Sequence, residues 1–458
     1  MNQTYRLEKD SLGQVKIPID ALYGPQTQRA VENFDIAARP VPALLICAIA
    51  AIKGEAAATN ARLGLLDAAK ARAIQQAADT ISGGGHSEQF PVDLYQTGSG
   101  TSSNMNVNEV IAQLAGDGVH PNDDVNLCQS SNDVIPSALR VAVCQEAQAL
   151  LEALTHLEES LKHKSHASKD VVKTGRTHLM DAMPVRMDQE LGAWAAQIAA
   201  ARRDIEGGLE ALFALPLGGT AVGTGINAHA DFAAGVCVGL ARRTGIAFQA
   251  QSGFRNLGSV DAEVAFSGRL NTLATALLKI CNDLRWMNSG PLCGLGEVQL
   301  PALQPGSSIM PGKVNPVIPE AAAMACIQVS GLHLAVTLAG QSGNFQLNVM
   351  LPLVADNILQ SVALLQRAAQ AIADKVIEGM MFNHEALRQR VAQNPVLVTA
   401  LNSRIGYELG ATIAKEAVKS GRAVIDVALE HTELSREELE RLLDPAALTR
   451  GGIPGSDE

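Results

Sequence analysis

The sequence predicts a mainly α-helical protein organised around a bundle of long helices. Three observations carry that prediction. First, apolar residues make up 47% of the 458-residue chain while aromatic residues make up only 3%. An Ala- and Leu-rich composition with few aromatics favours close-packed helices over a sandwich or barrel. Second, Leu139, Val143, Ala147, Leu150, Leu154, Leu157 and Leu161 recur at three- and four-residue steps, writing one long helix from Ala138 to about Lys164. Third, similar patterns cover about 186–213, 229–243, 259–287, 319–339 and 352–378, with few strand signals between them. Several of these helices carry Ala and Leu on most sides, and such faces must be covered on most sides. Bundles from several subunits packed together do that most easily, so a homo-oligomer is expected.

The remaining elements follow in order. Residues 1–40, with several prolines and glycines, read as an irregular lead-in. Ala43 to Thr80 is helical, interrupted near Gly64 and ended by Gly83-Gly84-Gly85. Residues 91–136 alternate polar turns with a short helix near Val107–Leu114. After about Met380 the helices shorten. In SREELERLL (435–443), Ser435 as N-cap and Glu438 three residues later form a capping box. The final GGIPGSDE (451–458) is expected to fray.

A length of 458 residues suggests roughly two to four lobes. A net charge of −11 argues against a general nucleic-acid or membrane-surface binder. An anionic ligand would need a locally positive or donor-rich site. Seven scattered cysteines without CxxC spacing read as reduced thiols in a cytoplasm. No secretory signal is evident in MNQTYRLEKD. The apolar run Val41–Ile52 is too short to span a bilayer. Residues 321–340 are long enough, but Gln328, Ser330 and His333 make a buried helix the better reading.

Polar clusters stand out against this apolar background. The eleven residues Gly306-Ser307-Ser308-Ile309-Met310-Pro311-Gly312-Lys313-Val314-Asn315-Pro316 describe an irregular loop rich in donors. It suits the capture of an anion beside a small nucleophile or base. Thr97–Asn104 (TGSGTSSN) is either a plain turn or a carboxylate-binding loop of exposed N–H groups and hydroxyls. His120-Pro121-Asn122-Asp123-Asp124 reads as a cap or turn; a metal site built from neighbours alone is not expected. Gln129-Ser130-Ser131-Asn132-Asp133 precedes the long helix, where Ser or Asn caps it or its free N–H groups attract a carboxylate. Gly175-Arg176-Thr177-His178 places a histidine just ahead of a helix. Gly218–Gly225 looks like a dinucleotide loop but lacks the strand–helix context, so a flexible helix connection is expected.

Taken in order, TGSGTSSNMNVNE (97–109), HPNDDVN (120–126), QSSND (129–133), GRTH (175–178), LGGTAVGTGIN (217–227), GSSIMPGKVNP (306–316) and SGNFQLNV (342–349) resemble the successive motifs of class II fumarases, within the fumarase/aspartase superfamily. KDSLG, GPQTQRA and LNSRIGYELGA are also similar, so the resemblance spans essentially the whole chain. It implies three domains: an N-terminal domain 1–134, a central helical bundle 135–355 and a small helical domain 356–458. It further implies a homotetramer whose active sites each collect residues from three subunits. The substrate would be a small dicarboxylate, with no cofactor, metal, nucleic acid or membrane partner. By the same resemblance Ser307 is the base, Lys313 and Asn315 hold the developing negative charge and Ser308 binds substrate. His178, kept basic by Glu320, manages the proton on the departing hydroxyl. Ser99, Thr101, Ser130, Ser131, Asn132 and Thr177 grip the carboxylates, and His120, Asn122 and Asp123 match a secondary anion site. The implied reaction is the reversible hydration of fumarate to (S)-malate.

Two stretches depart from the family pattern: LMDAMPVRM (179–187), with its added Arg186, and Val317-Ile318-Pro319, which is more like aspartases. Aspartate ammonia-lyase is therefore the nearest rival. GRTH, with His178 where aspartases typically carry glutamine, favours the fumarase. A non-catalytic helical scaffold is the rival from another class. The presence of Ser307, Lys313, Asn315, His178 and Glu320 argues against it.

Overall fold

The computed structural model describes residues 5–251 and 253–454. The last four residues of GGIPGSDE, expected to fray, lie outside them. Helices dominate, as expected. An N-terminal hairpin, β1 (Tyr5–Asp10) and β2 (Gly13–Pro18), is followed by α1 (Pro25–Asn33), α2 (Ala43–Arg62), α3 (Ala68–Ser82) and α4 (Thr101–Ala115). Then come α5 (Ser131–His166), a second hairpin of β3 (Val172–Thr177) and β4 (Met180–Arg186), and α6 (Met187–Leu209). α7 (Phe232–Thr244), the short α8 (Gly253–Gly258), α9 (Asp261–Met287), α10 (Val317–Gly340) and α11 (Leu351–Ile372) complete the long helices. Six shorter ones close the chain: α12 (His384–Gln393), α13 (Asn402–Ile405), α14 (Tyr407–Ser420), α15 (Val424–His431), α16 (Arg436–Leu442) and α17 (Pro445–Leu448).

The chain packs as two compact units. One comprises residues 1–152, 201–274 and 325–367, the other 153–200, 275–324 and 368–458. The periodic set that predicts α5 is buried throughout: Leu139, Val143, Ala147, Leu150, Leu154, Leu157 and Leu161 are each at most 1% exposed. In the first unit α2 packs on α3 and α7. Asp67 caps α3 by accepting from the N–H groups of Ala69 and Lys70. Arg140 and Glu263, both about 1% exposed, pair at 2.6 Å between α5 and α9, and Arg140 also donates to the Ala214 carbonyl. In the second unit Leu397, Leu401, Ile413, Val427 and Leu439 gather into a core of their own. The capping box at Ser435 and Glu438 is present there.

Several expectations are corrected. The lead-in is not irregular. β1 and β2 pair in register from Tyr5↔Pro18 to Asp10↔Gly13. α1 is capped from outside: Glu109 of α4 accepts from the N–H groups of Gly24, Gln26 and Thr27 and from the Thr27 hydroxyl. No local pattern could announce a cap supplied 82 residues away. α4 and α5 start earlier than periodicity suggests, because their first turns bury polar residues. The 218–225 loop is not a loose connection, as shown below. Finally, α2 and α10 are each long and apolar enough to cross a membrane by length and composition. α2 is mostly buried within the protein, but only 33% of the apolar window of α10 is, and Met324, Ile327, Leu334 and Leu338 are exposed along it. The expected burial of residues 321–340 is therefore incomplete within one chain.

Glu263→Ala should cost the protein ~3–5 kcal/mol, because it strands the Arg140 guanidinium without a counter-charge. The paired replacement Arg140→Met with Glu263→Leu should cost far less. Urea unfolding of the two variants checks both statements.

Candidate active site

In the first unit, the Thr97–Asn104 loop and the start of α5 are joined. Ser99 and Thr101 share a hydrogen bond at 2.8 Å, and Thr97 and Ser102 one at 3.0 Å. Gly100 takes a left-handed backbone (φ 71°) to launch α4, and a Cβ there would press on Ile135 of α5 at 2.9 Å. At Gly98 a Cβ would fall 1.7 Å from the Val349 carbonyl oxygen, while Leu351 N donates to Gly98 O. That close approach explains why the SGNFQLNV segment belongs with this loop. Asn104, at the first turn of α4, donates to the Ser131 hydroxyl oxygen at 3.1 Å.

Ser130 caps α5. Its hydroxyl oxygen accepts from Asn132 N at 3.2 Å, and its own N–H donates to Asp133 Oδ1 at 3.0 Å. The capping reading thus holds for Ser130, and the hydroxyl of Ser131 and the amide of Asn132 remain at the helix N-terminus, where a carboxylate is favoured. Asn132 Nδ2 donates to Ala221 O. Asp133 Oδ2 accepts from Gly218 N and Thr220 N, both at 2.9 Å, which pins the glycine-rich 218–225 loop to α5. This is the correction to the expected flexible connection: a buried carboxylate holds it.

Lys53 on α2 is completely buried and donates to Asn126 Oδ1 at 2.7 Å. Burial pushes its pKa down to about 7, against a partly restoring attraction from Asp133. Burial pushes Asp133 up to about 6, opposed by its three backbone N–H donors and by Lys53. Asp133 is therefore ionised at neutral pH. Lys53 was not singled out from the sequence, and Asp133, Asn104 and Asn126 were named only within their motifs, without the roles they play here. A lysine in the middle of an apolar helix, ALLICAIAAIKGEAAATNAR, was the available signal.

In the second unit, His178 does not precede a helix. It sits at the tip of the β3–β4 hairpin, where Thr177 pairs with Met180 across a two-residue turn of His178 and Leu179. Both have positive φ (54° and 61°), the mark of a type I′ turn. Thr177 and His178 are exposed. The hairpin is anchored beneath its tip by Glu297, which is 1% exposed. One oxygen pairs with Arg176 at 2.7 Å and the other with Lys173 at 2.9 Å, and Lys173 also meets Glu190 at 2.7 Å. At the bulge, a Cβ on Gly175 would meet Met183 O at 2.6 Å. An open groove of about 630 Å³ runs past Lys173, Arg176, His178, Lys279 and Trp286.

The 306–316 loop closes on itself. Gly306 N donates to Lys313 O at 2.8 Å, and Asn315 Nδ2 donates to Gly306 O at 2.8 Å. Lys313 Nζ donates to Asn315 Oδ1 at 2.6 Å. Any side chain at Gly306 would collide with Lys313 O. Within this ring Ser307 Oγ accepts from Ile309 N at 3.2 Å and Met310 N at 3.1 Å. Ser308 and Lys313 are exposed, and Glu320 lies in the first turn of α10. Among the described residues, no hydrogen bond or ion pair joins Glu320 to His178 within the chain.

His120 caps a single π-helical turn, Pro121–Val125. Its Nδ1 faces Asn122 N at 3.3 Å, Asp123 N at 3.1 Å and Asp123 Oδ2 at 3.2 Å. Asp124 pairs with Lys70. No group of three metal-ligating side chains occurs among the described residues.

Comparison with known proteins settles the family. Residues 13–331 match the family described as Lyase, and residues 397–450 match the Fumarase C C-terminus. A class II fumarate hydratase of Xylella fastidiosa is 55% identical, covering 98% of this chain and 96% of its own. The chain belongs to the class II fumarate hydratase family. It is a lyase. A second relative of that name, from Pseudomonas aeruginosa, is 54% identical over 98% of this chain and 99% of its own. The crystal structure of a class II fumarase from Schistosoma mansoni superposes with a TM-score of 0.95 at 37% identity, covering 97% of this chain and 99% of its own. The mainly helical fold implied by the motifs is that of this family.

Stability should carry the mark of the buried pair. Lys53, with its pKa lowered on folding, holds its proton better when unfolded, so stability rises with pH between about 7 and 10.5 and is flat below that window, where both states carry the proton. Urea unfolding of wild type and Lys53→Met between pH 7 and 9.5 should show wild type gaining by up to ~1.4 kcal/mol per pH unit relative to the variant.

Proposed function

We propose that this chain catalyses the reversible hydration of fumarate to (S)-malate, as a homotetramer in which each active site draws donors from three subunits. The observation that carries the reading is the 306–316 loop, where two backbone N–H groups aim at Ser307 Oγ. A serine alkoxide is improbable in water. Donors fixed on the oxygen favour its charged form. Ser307 then removes the proton from the carbon beside one malate carboxylate. The electron pair moves into that carboxylate, giving an aci-carboxylate. Its charge falls to the Lys313 ammonium, the Asn315 amide and the loop N–H groups, which are already ordered by their own ring of bonds. The C–O bond on the neighbouring carbon then breaks, with His178 supplying the proton through an ordered water, and the hydroxyl leaves as water. Glu320 of another protomer pairs with His178 and keeps it basic.

Ser99, Thr101, Ser130, Ser131, Asn132, Thr177 and Ser308 bind the carboxylates. The junction of the 97–104 loop with the α5 N-terminus supports that assignment, since it collects hydroxyls and a positive dipole end. His120, Asn122 and Asp123 form a secondary anion site. The exposed apolar residues of α10, together with Leu179, Met180, Ile309 and Phe345, support the assembly, because such side chains need a cover. The three-domain division at 134 and 355 and a cytoplasmic location complete the proposal; all seven cysteines are free thiols.

Adding malate should produce the absorbance of fumarate, whereas aspartate should not. Turnover of aspartate would move the assignment to an ammonia-lyase, and activity on neither would leave a scaffold. Ser307→Ala should lower kcat by roughly a thousandfold or more with little change in KM, as expected for a group acting in the transition state. Glu320→Gln should reduce kcat while the oligomer, followed by sedimentation, stays intact.

A further inference from the structure

We propose that Lys53 is a positioning residue that fixes the direction of the Ser131 hydroxyl through two asparagine amides. The proposal deepens the reading of Ser131 as a substrate ligand and rests on it. The Lys53 ammonium has three hydrogens and no lone pair, so only the oxygen of the Asn126 amide can face it. It does so at 2.7 Å. Asn126 Nδ2 is thereby turned away, to the Gln129 carbonyl at 3.2 Å. The same Asn126 oxygen is approached by Asn104 Nδ2 and Asn108 Nδ2, both at 3.2 Å. A flip of Asn126 would thus set its NH₂ group against three donors.

The polarity then passes on. Since Asn126 presents an oxygen, Asn104 must present its nitrogen. The second hydrogen of that nitrogen goes to Ser131 Oγ at 3.1 Å. Ser131 is consequently an acceptor toward Asn104, and its own hydrogen is left to donate to a ligand carboxylate. Nothing at the other end of Asn104 opposes or secures this choice. Asn104 Oδ1 is buried and has no hydrogen-bond partner among the described residues. The orientation of Asn104 therefore depends on Asn126, and that of Asn126 on Lys53.

A neutral polar side chain at position 53 would not do the same. A glutamine or serine can donate or accept, which would leave the two polarities of the chain close in energy. A fully buried ammonium is costly, and no reaction step uses it directly. Asp133 offsets part of that cost and also fixes the backbone on which Ser131 stands.

The test is a double-mutant cycle on the full-length enzyme at pH 6, with fumarate as substrate. Lys53→Met should raise KM about tenfold, the scale of one hydrogen bond to a charged group, with kcat changed less than about threefold. Lys53→Arg, which also only donates, should restore KM to within about threefold of wild type. In a Ser131→Ala background Lys53→Met should leave KM unchanged. An equal rise in both backgrounds would reduce Lys53 to general packing and overturn the proposal. So would an unchanged KM in soluble, assembled Lys53→Met when Ser131→Ala alone raises KM. If Ser131→Ala does not alter KM, the ligand role of Ser131 fails first and the proposal falls with it. Should Lys53→Met not fold, Lys53→Gln enters the same cycle, with a smaller rise expected in the wild-type background and none in Ser131→Ala.

Discussion

The Asp133 carboxylate is the interaction on which the donor-rich end of the first unit depends. Three backbone N–H groups from two separate stretches, Ser130 on one side and Gly218 and Thr220 on the other, converge on it. They leave it fully bonded inside a protein interior, the one condition under which a buried carboxylate is tolerable. Removing it would release the cap of α5 and the glycine-rich loop together. The free N–H groups of the first turn of α5 would then have no fixed direction. Binding at a helix end depends on that direction as much as on the dipole.

The second unit follows the same plan with different residues. Glu297 is as deeply buried, and it receives two cations, Lys173 and Arg176, both on the strand that leads to Thr177 and His178. Two of the groups of site residues therefore stand on a buried carboxylate, the α5 N-terminus on Asp133 and the hairpin tip on Glu297. Such pairs seldom add net stability, since desolvation takes back most of the attraction. What they do is restrict geometry: a bonded carboxylate admits one arrangement of its donors. In a fold held together mainly by Ala and Leu, whose packing is tolerant, these ionic points specify where the chemistry stands.

Much of the architecture could be read from the sequence, because its signal is periodic. The helix centres, the break near Gly64, the stop at Gly83 and the capping box at Ser435 all come from spacing within a few residues. The polar clusters were visible too, because hydroxyls and glycines are conspicuous in an apolar chain. What could not be read was any relation between distant positions. The cap on α1 comes from Glu109, and the clamp on the 218–220 turn comes from Asp133. The GRTH histidine illustrates a local failure. Its neighbours lack the Asn-Gly pair that usually marks a two-residue hairpin turn, so the hairpin went unseen and the histidine was placed simply ahead of the following helix.

That missing Asn-Gly has a consequence of its own. His178 and Leu179 both sit in a backbone region that residues with a Cβ rarely choose, so the loop is held against its intrinsic preference. A thermostabilising redesign scored on backbone comfort alone would replace the pair with Asn-Gly and would gain rigidity. It would also delete the imidazole. Stabilisation campaigns on this scaffold should leave residues 178 and 179 untouched and look for improvement at exposed helix positions instead.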